Sequence, residues 1–259
     1  MGWISGSKQA NMRVFDDYYE KPFWWFLWRY DTQIKRKTCL AVINTFKKKW
    51  TKEKIFELGF GSGEVLFSFP PTCEIYGAEL SSSAVRWASM RAAQRGYQKF
   101  EFFHVDRSER LLLPDGFVDI AIASHVLEHV EDDVLSVREL HRILKSGGAL
   151  VIIVPINERF PDPCHLRRYT FDVVNGLCQQ NRFRFIYGFE NELLFYLVER
   201  LYREHTAGRW GFCANLRRMA FNLLAAPLPF KLCRLFDVVI RQFSKLPPRQ
   251  AALLFIKNN

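Results

Sequence analysis

The sequence predicts a doubly wound α/β fold on two observations. From Lys54 onward, short apolar runs of strand type alternate with runs of helical type, and several of those strand runs are apolar nearly throughout. Strands with little polar alternation are expected where a parallel sheet is covered by helices on both faces. A chain of 259 residues can bury a full core as one large domain, or as one domain with an extension.

Residues 13 to 50 read as one or two helices, rich in aromatics (Phe23, Trp24, Trp25, Phe26, Trp28) and ending in the basic run Lys47, Lys48, Lys49. The strand-type runs follow as KIFELG, CEIYGAEL, FEFFHVD, FVDIAIAS and ALVIIVPI. One helix is predicted over Ser82 to Arg95, with Ser81 or Ser82 as its cap and Gly96 after its last turn. A second is predicted over Asp132 to Leu144, with Val134, Val137, Leu140 and Leu144 on one side and Lys145 and Gly147 at its end. Asn157 to Tyr169 is a polar, proline-containing loop. The last two strand runs, FRFIYGFE and AALLFIKN, are separated by far more chain than a hairpin needs, so the insertion must carry its own structure, as helices. The expected division is a helical segment over 1–50, an α/β domain over 51–190 and 250–259, and a helical insertion over 191–249.

Composition bounds the partners. The formal net charge of +10 favours a nucleic acid, an anionic membrane surface, or a phosphorylated or carboxylated substrate, and it is equally compatible with a generally basic surface. The six cysteines are scattered, without a C-x-x-C pair, so reduced thiols in the cytoplasm are expected rather than a disulfide framework or zinc ribbon. The N-terminal residues lack a signal-peptide pattern, and no apolar run approaches the roughly 20 residues needed to span a bilayer.

The chemistry concentrates at the ends of the strands. Glu57-Leu58-Gly59-Phe60-Gly61-Ser62-Gly63 follows the first strand directly and opens a short helix. Glycines there let the backbone turn sharply and bring a ligand close to main-chain N–H groups. The spacing is G-x-G-x-G, with Glu64 in the place of the last glycine of a dinucleotide loop, and Glu57 would sit poorly beside a diphosphate. Glu79 ends the second strand, where a carboxylate can accept both ribose hydroxyls of a nucleoside. Asp106 ends the third, where it can accept from an adenine amino group.

These residues, with GAELS, LPDGFVDIAIASHVLEHV and LKSGGALVIIVP, resemble the class I S-adenosylmethionine-dependent methyltransferases over about residues 53 to 190. The similarity is to the type 11 and 12 subgroup that includes ubiquinone-biosynthesis O-methyltransferases. The resemblance implies a Rossmann-like sheet of seven strands, the last antiparallel. It also implies S-adenosylmethionine as cofactor and S-adenosylhomocysteine as product. The glycine loop (Gly59, Phe60, Gly61, Gly63) would contact the methionine part, with Glu57 beside it, Glu79 the ribose and Asp106 the adenine. Leu80 and Arg107, next to the two acids, and Ser124, at the end of the fourth strand, complete the expected cofactor set.

His125-Val126-Leu127-Glu128-His129 matches the H-x-x-E-H pattern of certain zinc proteases, where a helix would put both histidines on one face. The register after a buried strand argues against a protease. Some relatives carry E-x-x-E-H here with a divalent metal, and His125, Glu128, His129 and His165 could form such a set. The alternative is that Glu128 and His129 cap a helix and pack under the acceptor site; because His125 departs from the pattern, no metal is expected.

The resemblance extends to an H-x-R-x-Tyr segment, Cys164 to Tyr169, in the loop after the fifth strand. His165, with His125, is the expected catalytic contact or base. Arg167, Arg168 and Tyr169 are expected to bind the acceptor, or else to anchor the loop. The expected activity is methyl transfer to O or N of a small anionic or lipid-linked acceptor. An RNA 2′-O-methyltransferase and a catalytically inactive scaffold are the alternatives. In the insertion, leucines and phenylalanines recur with Arg and Lys among them, which suits a lipid interface, a lid over the acceptor, or a dimer contact.

Overall fold

The computed structural model describes residues 19, 29–105, 110–158, 164–191, 212–243 and 245–258. Helix α1 spans Tyr30–Phe46 and is followed by strand β1 (Lys54–Leu58), a single 3-10 turn at Leu66–Ser68, and β2 (Glu74–Glu79). Then come α2 (Ser82–Gln94), β3 (Phe100–His104), β4 (Val118–Ser124), α3 (Asp133–Ile143) and β5 (Leu144–Pro155). The chain continues through α4 (Phe171–Gln180), β6 (Phe183–Asn191), α5 (Phe212–Ala225), α6 (Phe230–Phe243) and β7 (Gln250–Lys257).

The seven strands form one sheet in the order β3-β2-β1-β4-β5-β7-β6, parallel except for β7, which runs antiparallel to both neighbours. This is the sheet expected from sequence, with AALLFIKN as its reversed strand. Two apolar layers sandwich it. On one face Cys39 and Val42 of α1 and Ala84, Ala88 and Ala92 of α2 meet Ile55, Ile75, Ile120 and Ile122. The alanines recur every fourth residue, so α2 presents a stripe without bulk and lies close to the strands. On the other face Val137 and Leu140 of α3 and Val174 and Cys178 of α4 meet Phe56, Ala121, Leu150 and Phe255.

Local chemistry sets the helix starts where it was expected to, while Leu144, Lys145 and Gly147, expected at the end of α3, open β5 instead. Ser81 caps α2 by accepting from the Ala84 amide, and Gly96 follows with φ +80°. Asp132 caps α3 by accepting from the Leu135 amide at 2.8 Å. Two further details differ. Val134 does not join the buried stripe of α3 but is 36% exposed, since it lies in the first turn, ahead of the stripe formed by Val137, Leu140 and Ile143. The short helix expected after the glycine loop is a single 3-10 turn, because Pro70 and Pro71 follow closely.

A parallel sheet places the carboxyl ends of its strands along one edge, and ligands in such folds bind there. Here that edge carries the loop after β1, Glu79, Ser124 and the loop after β5. Gln250, where β7 begins, pairs with Pro155 and with Asn191, so the α5–α6 insertion also springs from this edge.

Candidate active site

The glycine loop is held to the second strand. Gly59 sits at φ +67°, and a Cβ there would come within 2.5 Å of a Val126 methyl, so both the conformation and the space require glycine. Its amide donates to the Ala78 carbonyl at 2.8 Å. The Gly61 amide donates to Glu79 Oε2 at 2.8 Å, and the Leu80 and Ser81 amides donate to Oε1 at 2.7 and 3.1 Å. Glu79 therefore ends β2 with its carboxylate seated against the glycine loop, Oε1 fully engaged and Oε2 keeping a lone pair to spare. Burial pushes its pKa up, and the three amides oppose that shift.

Glu57, one turn of chain before, is buried at the base of the loop. Burial raises its pKa well above the carboxylate range, while the Leu66 amide and the neighbouring carboxylates of Glu79 and Glu64 pull in opposite directions. Its Oε2 has no hydrogen-bond partner among the described residues. An unpaired buried carboxylate oxygen is costly, so this atom fits a cationic or N–H donor brought by a ligand. The phenyl ring of Phe60 turns inward onto Gly77 and Phe102, which leaves only its backbone for ligand contact. Tyr19 packs its hydroxyl against Gly61. On the loop's outer side a cleft of about 300 Å³ runs between Gly61, Ser62, Trp87, Met90 and Arg91. Asp106 and Arg107 lie outside the described residues; Val105, just before them, donates its amide to the Glu79 carbonyl.

The H-x-x-E-H segment is a turn, not a helix, so the i, i+4 geometry of a zinc protease is absent. Nor do Glu128 and His129 cap a helix: α3 begins later, under Asp132. The chain leaves β4 with His125 at φ 52°, an uncommon conformation for a residue other than glycine, and this twist redirects the following residues under the strand end. Glu128 is fully buried, and its Oε1 lies 3.4 Å from His125 Nδ1. Neither Glu128 oxygen has a well-aligned donor among the described residues. Burial and the charge of Lys35 on α1 push His125 down to about 4, so it is neutral at pH 7. Glu128 stays ionised, held below its usual range by His125 and His129.

The loop after β5 is stapled onto this turn. The Leu166 amide donates to the Glu128 carbonyl, and the Arg167 guanidinium donates to the carbonyls of Leu127, Val130 and Glu131. The Tyr169 hydroxyl donates to Asp133 at 2.7 Å. Arg167 and Tyr169 thus serve as anchors here, whereas Arg168 is exposed. The anchoring brings His165 against His129, ring centroids 4.8 Å apart, and His129 Nδ1 against the Cys164 carbonyl at 3.1 Å. His165 Nδ1 in turn lies 2.6 Å from Glu158 Oε1. Ligand atoms of Glu128, His129 and His165 lie within 4.8 Å of one another, close enough to share a cation. Glu158 had no distinguishing mark in the sequence beyond being an acid in a polar loop, and only the loop's folding brings it to His165.

A family model described as a methyltransferase domain matches residues 56–152. The thiol S-methyltransferase TMT1B of Rattus norvegicus is 23% identical over 158 residues, covering 54% of this chain and 65% of that protein. Matches to the first few curated relatives span 52–65% of those proteins' own length. The YcgJ structure from Bacillus subtilis superposes with a TM-score of 0.57 at 18% identity, over 85% of this chain and 98% of that one. A Haemonchus contortus phosphoethanolamine N-methyltransferase, solved with phosphomonomethylethanolamine and S-adenosylhomocysteine, gives 0.58 at 14% identity, over 85% of this chain and 52% of its own. The structural likenesses speak to the fold, while the sequence match covers the glycine loop, the Glu79 strand end and the His125 turn together. Residues 56–152 thus match a methyltransferase domain, set on a sheet of the class I S-adenosylmethionine-dependent methyltransferase fold.

Proposed function

We propose that the protein transfers a methyl group from S-adenosylmethionine to an oxygen or nitrogen of a small anionic or lipid-linked acceptor. The observation that carries this reading is the pair of acids at the first two strand ends. Glu79 is fixed by three loop amides with a lone pair of Oε2 to spare for a ribose hydroxyl, and Glu57 keeps a buried oxygen without a donor, suited to an ammonium group. Bound there, the cofactor supplies an electrophilic methyl on a sulfonium. Gly59 to Gly63, with Leu80 and Ser124 alongside, would hold the methionine and nucleoside portions, and Asp106 and Arg107 would lie toward the adenine.

Displacement at a methyl carbon is in-line, so positioning the acceptor does most of the catalysis. His165 is the residue we assign to take the acceptor's proton, with Glu158 Oε1 2.6 Å from its Nδ1. His125, neutral at pH 7 and hard to protonate, serves as a contact rather than a proton store. Arg168 is the cation left exposed for an acidic acceptor. The rat relative is named for thiol acceptors, so sulfur nucleophiles belong in the same substrate panel. Calorimetry with S-adenosylmethionine and S-adenosylhomocysteine tests the cofactor reading directly; no binding, or binding of NAD instead, overturns it.

A second reading is favoured by one observation: the fully buried Glu128 carboxylate without an aligned donor, beside His129 and His165. A divalent cation there would satisfy the carboxylate and could orient an acceptor hydroxyl. Dialysis against EDTA separates the two readings. Activity is retained if the histidines act alone, and is lost and then restored by Mg²⁺ or Mn²⁺ if the cluster holds a metal.

A further inference from the structure

Helices α5 and α6 pack Phe221, Ala225, Phe230 and Cys233 against α1 and still carry large apolar side chains on their outer faces. α5 meets α1 through the Phe221 ring, 5.2 Å from Tyr30, and through Asn222, whose Oδ1 accepts from the Tyr30 amide. Lys37 of α1 donates to the Ala226 and Leu228 carbonyls in the turn between the helices. Asp237 of α6 is buried. A second set of large apolar side chains points the other way. On α5 these are Leu216, Met219, Leu223 and Leu224, the last 71% exposed, all within one helical face. On α6 they are Leu235, Val239 and Phe243, one turn apart, with Phe243 85% exposed. Exposed apolar strips on two neighbouring helices mark a surface that leaves water when it works.

Charge identifies what covers it. Residues 212–249 hold seven arginines and lysines and a single acid, Asp237, which is the one turned inward. Arg217 and Lys231 are exposed beside the apolar strips, and Lys245 follows α6. A protein partner, or a second copy of this chain, would be expected to meet some acid on the face. An apolar strip edged only by cations matches acyl chains below and acidic head groups around. No helix among the described residues is long and apolar enough to cross a membrane, so the match is to a surface rather than to a span. We propose that the α5–α6 hairpin docks the protein on an anionic lipid bilayer.

The hairpin's root lies against the acceptor side of the site. Arg249 donates to the Asn157 carbonyl, and Asn157 donates to the Pro248 carbonyl, tying the end of the insertion to the loop that carries Glu158 and His165. Docking would therefore bring the candidate acceptor side toward the lipid. The docking inference itself rests on the hairpin alone and stands whether or not methyl transfer is the activity.

Co-sedimentation of the full chain with vesicles tests it. We expect binding to vesicles of one part phosphatidylglycerol to two parts phosphatidylcholine, and little to phosphatidylcholine alone. The paired substitution Leu224→Glu and Phe243→Glu should lower the partition coefficient about tenfold or more, ~1.4 kcal/mol, with the unfolding temperature unchanged. If that pair destabilises the fold, Leu224→Ser with Phe243→Ser asks the same question more gently. Arg217→Gln with Lys231→Gln should weaken binding and flatten its dependence on salt. No sedimentation with anionic vesicles, or sedimentation indifferent to the apolar substitutions, overturns the proposal. So does a wild-type dimer in solution that the apolar substitutions split into monomers, since the face would then belong to a second copy.

Discussion

At the scale of single residues, the site is built from carboxylates and imidazoles whose surroundings divide their work. Glu79 closes the glycine loop and, in the proposed function, would offer the cofactor the spare lone pair of Oε2; two substitutions separate these roles. Glu79→Gln keeps an oxygen for the Gly61 amide but loses the charge; Glu79→Ala loses both. Charge-assisted hydrogen bonds are worth roughly 1.5–3 kcal/mol, so Glu79→Ala should weaken S-adenosylmethionine binding about ten- to a hundredfold by calorimetry, and Glu79→Gln less. Equal affinity in all three proteins would remove Glu79 from the site. His125 makes a different prediction, about pH. Its pKa is about 4 folded against 6.5 unfolded, so the unfolded chain binds the extra proton between those values. Stability supplied by the neutral, buried ring is intact above pH 6.5 and is lost as pH falls toward 4. The loss amounts to about 2 kcal/mol at pH 5. Denaturant titrations at pH 7 and pH 5 should show it in the wild type and show less in His125→Asn. A His125→Asn protein with the same pH slope would place the proton elsewhere. Neither the depressed pKa nor its cause was legible beforehand, because it comes first from burial in a turn the sequence did not reveal and then from the charge of Lys35 on α1, ninety residues earlier in the chain.

At the scale of elements, the alternation of apolar strands and capped helices carried the fold, since each local preference agrees with its neighbours. Side-chain destinations within loops were less legible. H-x-x-E-H has a helical spacing, yet the positive φ at His125 makes it a turn, and no propensity rule anticipates that twist. Arg167 looked equally suited to an acceptor or to the loop, and three carbonyls of the His125 turn claim it. Those carbonyls end a turn that has no helix to satisfy them, which is why a guanidinium with five donors is needed there. The loop carrying Glu158 and His165 is thus positioned by one side chain. Arg167→Ala should free it, lowering kcat about tenfold or more while leaving cofactor affinity near the wild-type value. Unchanged turnover with a well-folded variant would mean that His165 is placed by other contacts. The 164–169 segment should also become the first site of limited proteolysis in that variant, which reports the loop directly.

At the scale of the whole molecule, the sheet separates two tasks along one edge. The half formed by β1, β2 and α2 carries the glycine loop and Glu79. The half formed by β5, β6 and β7 carries the His165 loop and the roots of α5 and α6. The sequence already showed the insertion's composition, leucine and phenylalanine with arginine and lysine, but that composition alone suited a lid, a dimer contact or a lipid surface equally. The direction of the apolar faces depends on α1 offering Tyr30 and Lys37 as polar anchors, a pairing across roughly 190 residues of chain. If the halves are energetically separate, cofactor binding should stabilise the protein independently of the hairpin. A ligand at a hundred times its dissociation constant adds about 2.7 kcal/mol to stability, and in a domain of this size that raises Tm by roughly 5–10 °C. We expect S-adenosylhomocysteine at such a concentration to produce that shift in the wild type and, undiminished, in Leu224→Glu with Phe243→Glu. The same concentration should give a much smaller shift in Glu79→Ala, whose affinity is lower. Substitutions at sites this far apart, without shared partners, add within about 0.5 kcal/mol. A hairpin variant that keeps its unliganded Tm but loses the cofactor shift would show that the two halves are coupled, and that the insertion helps to shape the cofactor site as well as the surface through which the acceptor arrives.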